Sequence, residues 1–295
     1  MQCCPPEIWQ EIYYWACTDD GSTGRSLSLT CHAVRHLSRP FKLQSLCVLG
    51  VEKILGFSGF ILQIHPSDLN VRYLFIAGPD FQAHPSIVQS SQPALIEEAL
   101  HTILFAVGPT LRVLNLHFPS IFRASLFPPI PLPYLSDLTL QGPFTSSPAS
   151  CSDISFPSLT KLHIRHSISR PKDFLSIIAN SAPNLVHLRV PQRSFTPYEL
   201  QVALGCMSPA NTLLPPSLKA LEIEADPLPS PEESWKASIR AHQFLRKFQR
   251  ISSNDQRVLV AKGPDEEVDC FLEALEWVGT RIQFSVLGDT STKEA

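Results

Sequence analysis

Leu111-Arg112-Val113-Leu114-Asn115-Leu116, Leu135-Ser136-Asp137-Leu138-Thr139-Leu140 and Leu159-Thr160-Lys161-Leu162-His163-Ile164 spell one pattern three times, at intervals of 24 residues. Allowing any aliphatic residue at the marked positions extends it upstream to Leu43/Leu46/Val48 and Val71/Leu74/Ile76. Downstream it extends to Leu185/Leu188/Val190 and Leu218/Leu221/Ile223. The seven starts are separated by 28, 40, 24, 24, 26 and 33 residues. Two apolar residues two positions apart lie on the same side of a strand, and the one three residues earlier packs the turn leading into it. A single unit cannot bury that side alone. Stacked units can, as parallel strands joined by connections that run back over the apolar side.

A period of 20 to 29 residues with this pattern is that of a leucine-rich repeat. The sequence therefore predicts an α/β fold: an irregular solenoid lined by a curved parallel sheet, with helices or irregular segments outside. Two of the outer helices are readable. Pro93 to Val107 carries Leu95, Ile96, Ala99, Leu100, Ile103, Leu104 and Val107, and stops at Gly108-Pro109. Pro171 to Asn180 carries Phe174, Ile177 and Ile178. The units near Leu135 and Leu159 have proline-rich connectors, which exclude long helices. The whole chain shares this bias. Its 27 Pro in 295 residues are about twice the usual share of roughly 5%, so short elements with stiff connections are expected.

Composition narrows the function classes. An apolar content of 44% with 17% charged residues describes a folded, soluble protein. The formal charge of -3 gives no broad positive field for nucleic acid or an acidic membrane. The most apolar stretches, Ile54 to Ile64 and Leu100 to Val107, fall short of the roughly 20 residues that span a bilayer. No two of the eight cysteines are spaced as CxxC, so zinc-site spacing is missing. Met1 leads into a polar, proline-rich start without a secretory pattern, and reduced thiols in the cytoplasm or nucleus are expected.

Before the repeats, Pro5 to Ala16 places apolar residues at 8, 9, 12, 13 and 16, a helical stripe opened by proline. Thr18 to Gly24 reads as a turn. Leu27, Cys31, Val34 and Leu37 then recur at helical spacing until Pro40, completing a helical hairpin. Ile8, Ile12 and Trp15 pack on the first repeats or stay open to a partner; periodicity leaves both open. After the repeats, residues 226 to 233 read as a linker into a helix with Trp235, Ile239 and Leu245 on one side. Repeats stop there. A helix near Glu266 to Val278 and a strand near Arg281 to Val286 are expected to cover the last unit. The expected organisation is an N-terminal helical module at 1–48, repeats at 49–230 and a capping segment at 231–295.

The opening Pro5-Pro6-Glu7-Ile8-Trp9-Gln10-Glu11-Ile12, followed by Leu27-Ser28-Leu29-Thr30-Cys31-His32-Ala33-Val34-Arg35 and then repeats, resembles the F-box and leucine-rich-repeat families of mushroom-forming fungi. The F-box match covers roughly residues 4 to 48. The resemblance implies a non-catalytic substrate-recognition subunit of a ubiquitin ligase. The F-box hairpin would dock on the Skp adaptor, and through it on a cullin, while the repeats would hold the client protein. It assigns adaptor contacts to Pro6, Ile8, Trp9, Ile12, Leu27, Leu29 and Val34. Cys4 stands where the family commonly has leucine, and Val34 where it has tryptophan. A second reading therefore stays open: an interaction scaffold without a ubiquitin role, whose N-terminal helices serve as a cap.

Strand alternation places Thr139, Gln141, His163, Arg165, His187 and Arg189 beside the inward positions, on the concave face of the predicted sheet. They are the candidate client-binding residues. His163 and His166 lie three apart on a strand and face opposite ways, so they do not form a metal pair. Lys236, Arg240, Arg246, Lys247 and Arg250 punctuate one helix as its solvated side. No nucleophile elbow, phosphate-cradling glycine loop, HExxH or kinase motif is readable, so no catalytic residue, metal or cofactor is assigned. Gly56-Phe57-Ser58-Gly59 is one residue short of GxSxG.

Overall fold

The computed structural model describes residues 4–78, 92–118, 124–125, 130–142, 144–145, 155–165, 174–194, 196–205, 213–225 and 235–261. It begins with three helices, α1 (Pro6–Ala16), α2 (Ser22–Thr30) and α3 (His32–Ser38). Pro6 sits in the first turn of α1, where its missing N–H costs no hydrogen bond. The sequence reading of one helix through Leu27 and Leu37 needs correction. Cys31 is extended, at φ -153° and ψ 168°, and separates α2 from α3. The break is satisfied locally. Ser28 and Thr30 hydroxyls donate to the carbonyls of Arg25 and Leu27, and Arg35 Nε donates to the Ser28 carbonyl at 2.6 Å, so the Leu27 and Ser28 carbonyls of the last turn have donors. α2 also starts inside the stretch read as a turn. The Asp19 carboxylate accepts from the Gly21 and Thr23 amides and from the Ser22 and Thr23 hydroxyls, and so caps the helix.

Eight parallel strands follow in one sheet. They are β1 (Ser45–Leu49), β2 (Tyr73–Ala77), β3 (Val113–His117), β5 (Asp137–Gln141), β7 (Lys161–Arg165), β8 (His187–Pro191), β9 (Ala220–Glu224) and β10 (Val258–Ala261). Each lies beside its predecessor. The short β4 (Ala124–Ser125) and β6 (Phe144–Thr145) pair separately. Every one of the seven sequence units falls on a strand of the large sheet, in the expected phase. Leu46, Leu74, Leu114, Leu138, Leu162, Leu188, Leu221 and Val258 form one cross-strand row. Leu114, Leu138, Leu188 and Leu221 in that row are fully buried, as are the leading residues Val71, Leu111, Leu135, Leu159 and Leu185.

The turns before β2, β3, β5, β7, β8 and β9 repeat one hydrogen-bonding device: a single carbonyl accepts two successive amides of the next segment. The Gln44 carbonyl takes the amides of Arg72 and Tyr73, and that of Arg72 takes Arg112 and Val113. The pattern continues through Arg112, Ser136, Thr160 and Val186. This places neighbouring strands in equal register and leaves few backbone groups unpaired in the interior.

Helices α4 (Val51–Ile61), α5 (Gln92–Val107), α6 (Phe174–Ser181), α7 (Pro197–Ala203) and α8 (Trp235–Asn254) occupy the connections whose intervals are longer than 24 residues. The two 24-residue connections carry no α-helix among the described residues, and Leu132 and Phe156 fill the core there. α5, α6 and α8 match the sequence reading. α4 encloses Gly56 and Gly59, so that stretch is helix and not a nucleophile turn. α7 is started by a capping box: the Thr196 side chain accepts from the Glu199 amide, and Glu199 accepts from the Thr196 amide.

The sheet does not stop near residue 226: it continues with β10, a strand missed because Asp255 stands where the sequence pattern has its leading leucine. The Asp255 carboxylate takes the Arg257 amide and guanidinium, which builds by polar contacts the turn that leucine packs elsewhere. The sheet thus runs from Ser45 to Ala261. The helix and strand expected over 266–278 and 281–286 lie outside the described residues. No helix among the described residues is long and apolar enough to cross a membrane.

Candidate functional site

Two surfaces combine unusual chemistry with a defined position. The first is on the N-terminal helices. Tyr13 is buried and stacks on the half-buried Trp9, with 5.8 Å between ring centres. That fixes which side of α1 faces the protein. Ile8, Ile12 and Trp15, spaced four and three residues apart, share another side and are 40% to 50% exposed. The Trp15 indole N–H donates to Glu11 at 2.9 Å, which holds the ring along the helix. Leu29 of α2 is 77% exposed, Leu27 is half-buried and Pro6 is exposed. Val34 of α3, the last residue of that set, is buried.

The same helices are seated on the first strand. Gln44, fully buried, donates from Nε2 to the Tyr14 carbonyl at 2.9 Å, and the Ser45 hydroxyl donates to the Asp19 carbonyl. The Arg72 guanidinium lies 4.9 Å over the Tyr14 ring. Gly21 has φ 91°, and a Cβ there would stand 2.8 Å from the Ser45 carbonyl oxygen. Only glycine tolerates both the backbone and the approach. Burial would raise the Asp19 carboxyl, but its hydrogen bonds from Ser22, Thr23 and Gly21 outweigh that and keep it below the usual range. Burial pushes the thiols of Cys17 and Cys47 up to about 11, so both stay protonated and unreactive at neutral pH.

The second surface is the polar side of the sheet. Asn115, Thr139, His163, Arg189 and Glu222 form one cross-strand row. His117, Gln141 and Arg165 continue a parallel row, and Glu224 occupies the same level on β9. The expectation that all six named residues stand in solvent fails for Thr139 and Gln141, which are buried. Close parallel strands surround short side chains on a sheet, so alternation gives a residue's side but not its exposure.

The other four meet in an ion network with Glu222 and Glu224. Arg189 Nη2 lies 2.6 Å from Glu224, and its Nε is 3.6 Å from Glu222. His163 Nε2 reaches Glu224 at 3.4 Å across β8, and His187 Nε2 reaches Glu222 at 3.4 Å. Arg165 Nε lies 3.4 Å from the His163 ring. Burial pushes the His163 imidazole down, more than the Glu224 hydrogen bond raises it, so the ring is neutral at pH 7. Burial would raise Glu224, but the His163 hydrogen bond and, once that ring is protonated at low pH, its charge, together with the guanidinium groups of Arg189 and Arg165, take it down to about 2. Sequence reasoning missed both glutamates. The signal was present: Leu218/Leu221/Ile223 puts Glu222 and Glu224 at the same positions that single out His163 and Arg165.

His166 lies outside the described residues. Among those described, no three His, Cys, Asp or Glu residues converge as metal ligands. Arg246, Lys247 and Arg250 are exposed on α8 beside the buried Phe248 and Ile251, while the side chains of Lys236 and Arg240 lie outside the described set. No family model matches this chain, and no curated protein matches it.

Proposed function

We propose that the chain is a non-catalytic substrate-recognition subunit of a Skp/cullin/F-box ubiquitin ligase, working in the cytoplasm or nucleus. α1 to α3 form the F-box, the eight-stranded sheet is the inner lining of a leucine-rich-repeat solenoid, and a client protein binds its polar side. The protein contributes proximity, while the ubiquitin chemistry proceeds on other subunits. One observation carries this reading: Ile8, Ile12 and Trp15 lie unburied on one side of a helix whose opposite side is pinned by Tyr13. Large apolar side chains exposed in a row are suited to a partner's groove.

Co-expression with a Skp adaptor tests it. The wild-type chain is expected to co-purify with the adaptor. Ile8→Asp with Ile12→Asp is expected to remove capture while leaving the thermal midpoint nearly unchanged, because exposed positions tolerate charge within about 0.5 kcal/mol each. Failure of the folded wild type to bind sinks the proposal. The hydrogen bonds from Gln44 and Ser45 to α1 and its following turn favour the second reading in that event, a scaffold whose helices cap the sheet's first edge.

A further inference from the structure

The Nε2 nitrogen of His163 has two neighbours that ask opposite things of it. Arg165 Nε, an N–H donor, and Glu224 Oε1, a carboxylate acceptor, each lie 3.4 Å away. A ring nitrogen carries either a lone pair or a proton, so it serves one of them at a time. The neutral ring serves either by its choice of tautomer. Glu224 Oε1 already receives Arg189 Nη2 at 2.6 Å, which leaves the neutral Nε2 to accept from Arg165. The protonated ring has no such choice, because both its nitrogens are donors. It donates to Glu224 and turns an N–H toward the Arg165 guanidinium.

The surroundings sharpen the conflict. The side chains of His163 and Glu224 are 14% and 13% exposed, so water screens little between them. On the strands alongside, the charged and titratable groups are Asp137 of β5, His187 and Arg189 of β8, and Glu222 and Glu224 of β9. Lys161 and Arg165 share β7 with the ring. Three cations, Lys161, Arg165 and Arg189, balance three carboxylates, Asp137, Glu222 and Glu224. A proton on His163 is therefore a charge without a counterpart, set 3.4 Å from a guanidinium. Arg189 is tied to Glu224, whereas Arg165 is half-buried at the last position of its strand, next to solvent.

We propose that His163 is a pH-operated switch on the polar side of the sheet. Near neutral pH the ring accepts from Arg165 and holds that guanidinium inward. In acidic solution Glu224 holds the protonated ring, and Arg165 turns out to solvent. The side it alters is the one read above as the client surface, but the switch does not rest on that reading. It needs only the three side chains.

NMR of the full chain, with 15N-labelled histidine and arginine, tests it from about pH 8 to about pH 4, a span that covers the histidine range. Near neutrality the His163 Nε2 shift is expected to be that of an unprotonated nitrogen. As the ring titrates, with a midpoint below the ordinary 6.5, the Arg165 Nε signal is expected to move with it. His163→Gln is expected to abolish that movement, and His187→Gln, whose contact is with Glu222, to leave it intact. Arg165→Gln removes a cation that favours the neutral ring, so the His163 midpoint is expected to rise. That variant keeps the ring in place and decides the matter where His163→Gln does not fold. A ring protonated at Nε2 near neutrality, a ring that stays neutral throughout, an Arg165 signal indifferent to its titration, or a midpoint unmoved by Arg165→Gln overturns the proposal.

Discussion

His163 and Glu224 stand 61 positions apart in sequence, and they meet across an intervening strand, where burial of the pair and their contact shift both groups. The consequence for stability has a definite sign. Between the folded value of about 2 and the ordinary 4.5, the unfolded chain binds a proton at Glu224 that the folded chain does not, so stability falls as pH drops through that window. His163 adds an earlier loss: burial holds its folded value below the ordinary 6.5, so the unfolded chain takes up a proton first as pH falls from there. Urea midpoints measured from pH 7 to pH 3 should decline in two stages. Glu224→Gln should lower stability at pH 7 by about 1–3 kcal/mol, leaving Arg189 poorly paired, and should flatten the lower stage. An unchanged profile in that variant would show that a group other than Glu224 sets the lower stage.

At the scale of elements, ends and breaks are set by side chains that satisfy orphaned backbone groups. α7 is the clearest case, because its seven residues lack the length to be stable alone and depend on their capping box. Thr196→Ala should cost about 1 kcal/mol, read as a lower urea midpoint with unchanged slope. The Thr196-Pro197-Tyr198-Glu199 signature is local and was legible in the sequence, although periodicity gave no hint over so short a stretch. The break at Cys31 was not legible. Leu27, Cys31, Val34 and Leu37 keep helical spacing across it, and only the hydrogen bonds of Ser28, Thr30 and Arg35 reveal that α2 ends there.

At the scale of the molecule, each strand touches only the strands before and after it, and one apolar ladder runs through all eight. A side chain in the middle of that ladder has neighbours on both sides, and one at its end does not. Leu138→Ala on β5 should therefore cost about 2–5 kcal/mol by opening a cavity between Leu114 and Leu162. Val260→Ala on β10, half-buried at the end of the sheet, should cost well under half as much. Comparable losses at the two positions would mean that the end of the sheet is covered as fully as its middle.

The sequence by itself determined seven of the eight strands of the large sheet, their phase and their order. Each unit's buried positions are written within six residues, and a period-2 pattern allows only one of the two sides to be apolar. It determined α1, α5 and α6 for the same local reason. Tertiary structure decided what those patterns do not encode. It seated the N-terminal helices on β1 through Gln44 and Ser45, left Ile8 and Ile12 uncovered, and buried Val34. It buried Thr139 and Gln141 between neighbouring strands, and added an eighth strand after a turn with Asp255 where the pattern has leucine. It also joined His163 to Glu224 across β8. Exposure and charge pairing depend on side chains brought together from distant units, and spacing within one unit carries no record of them.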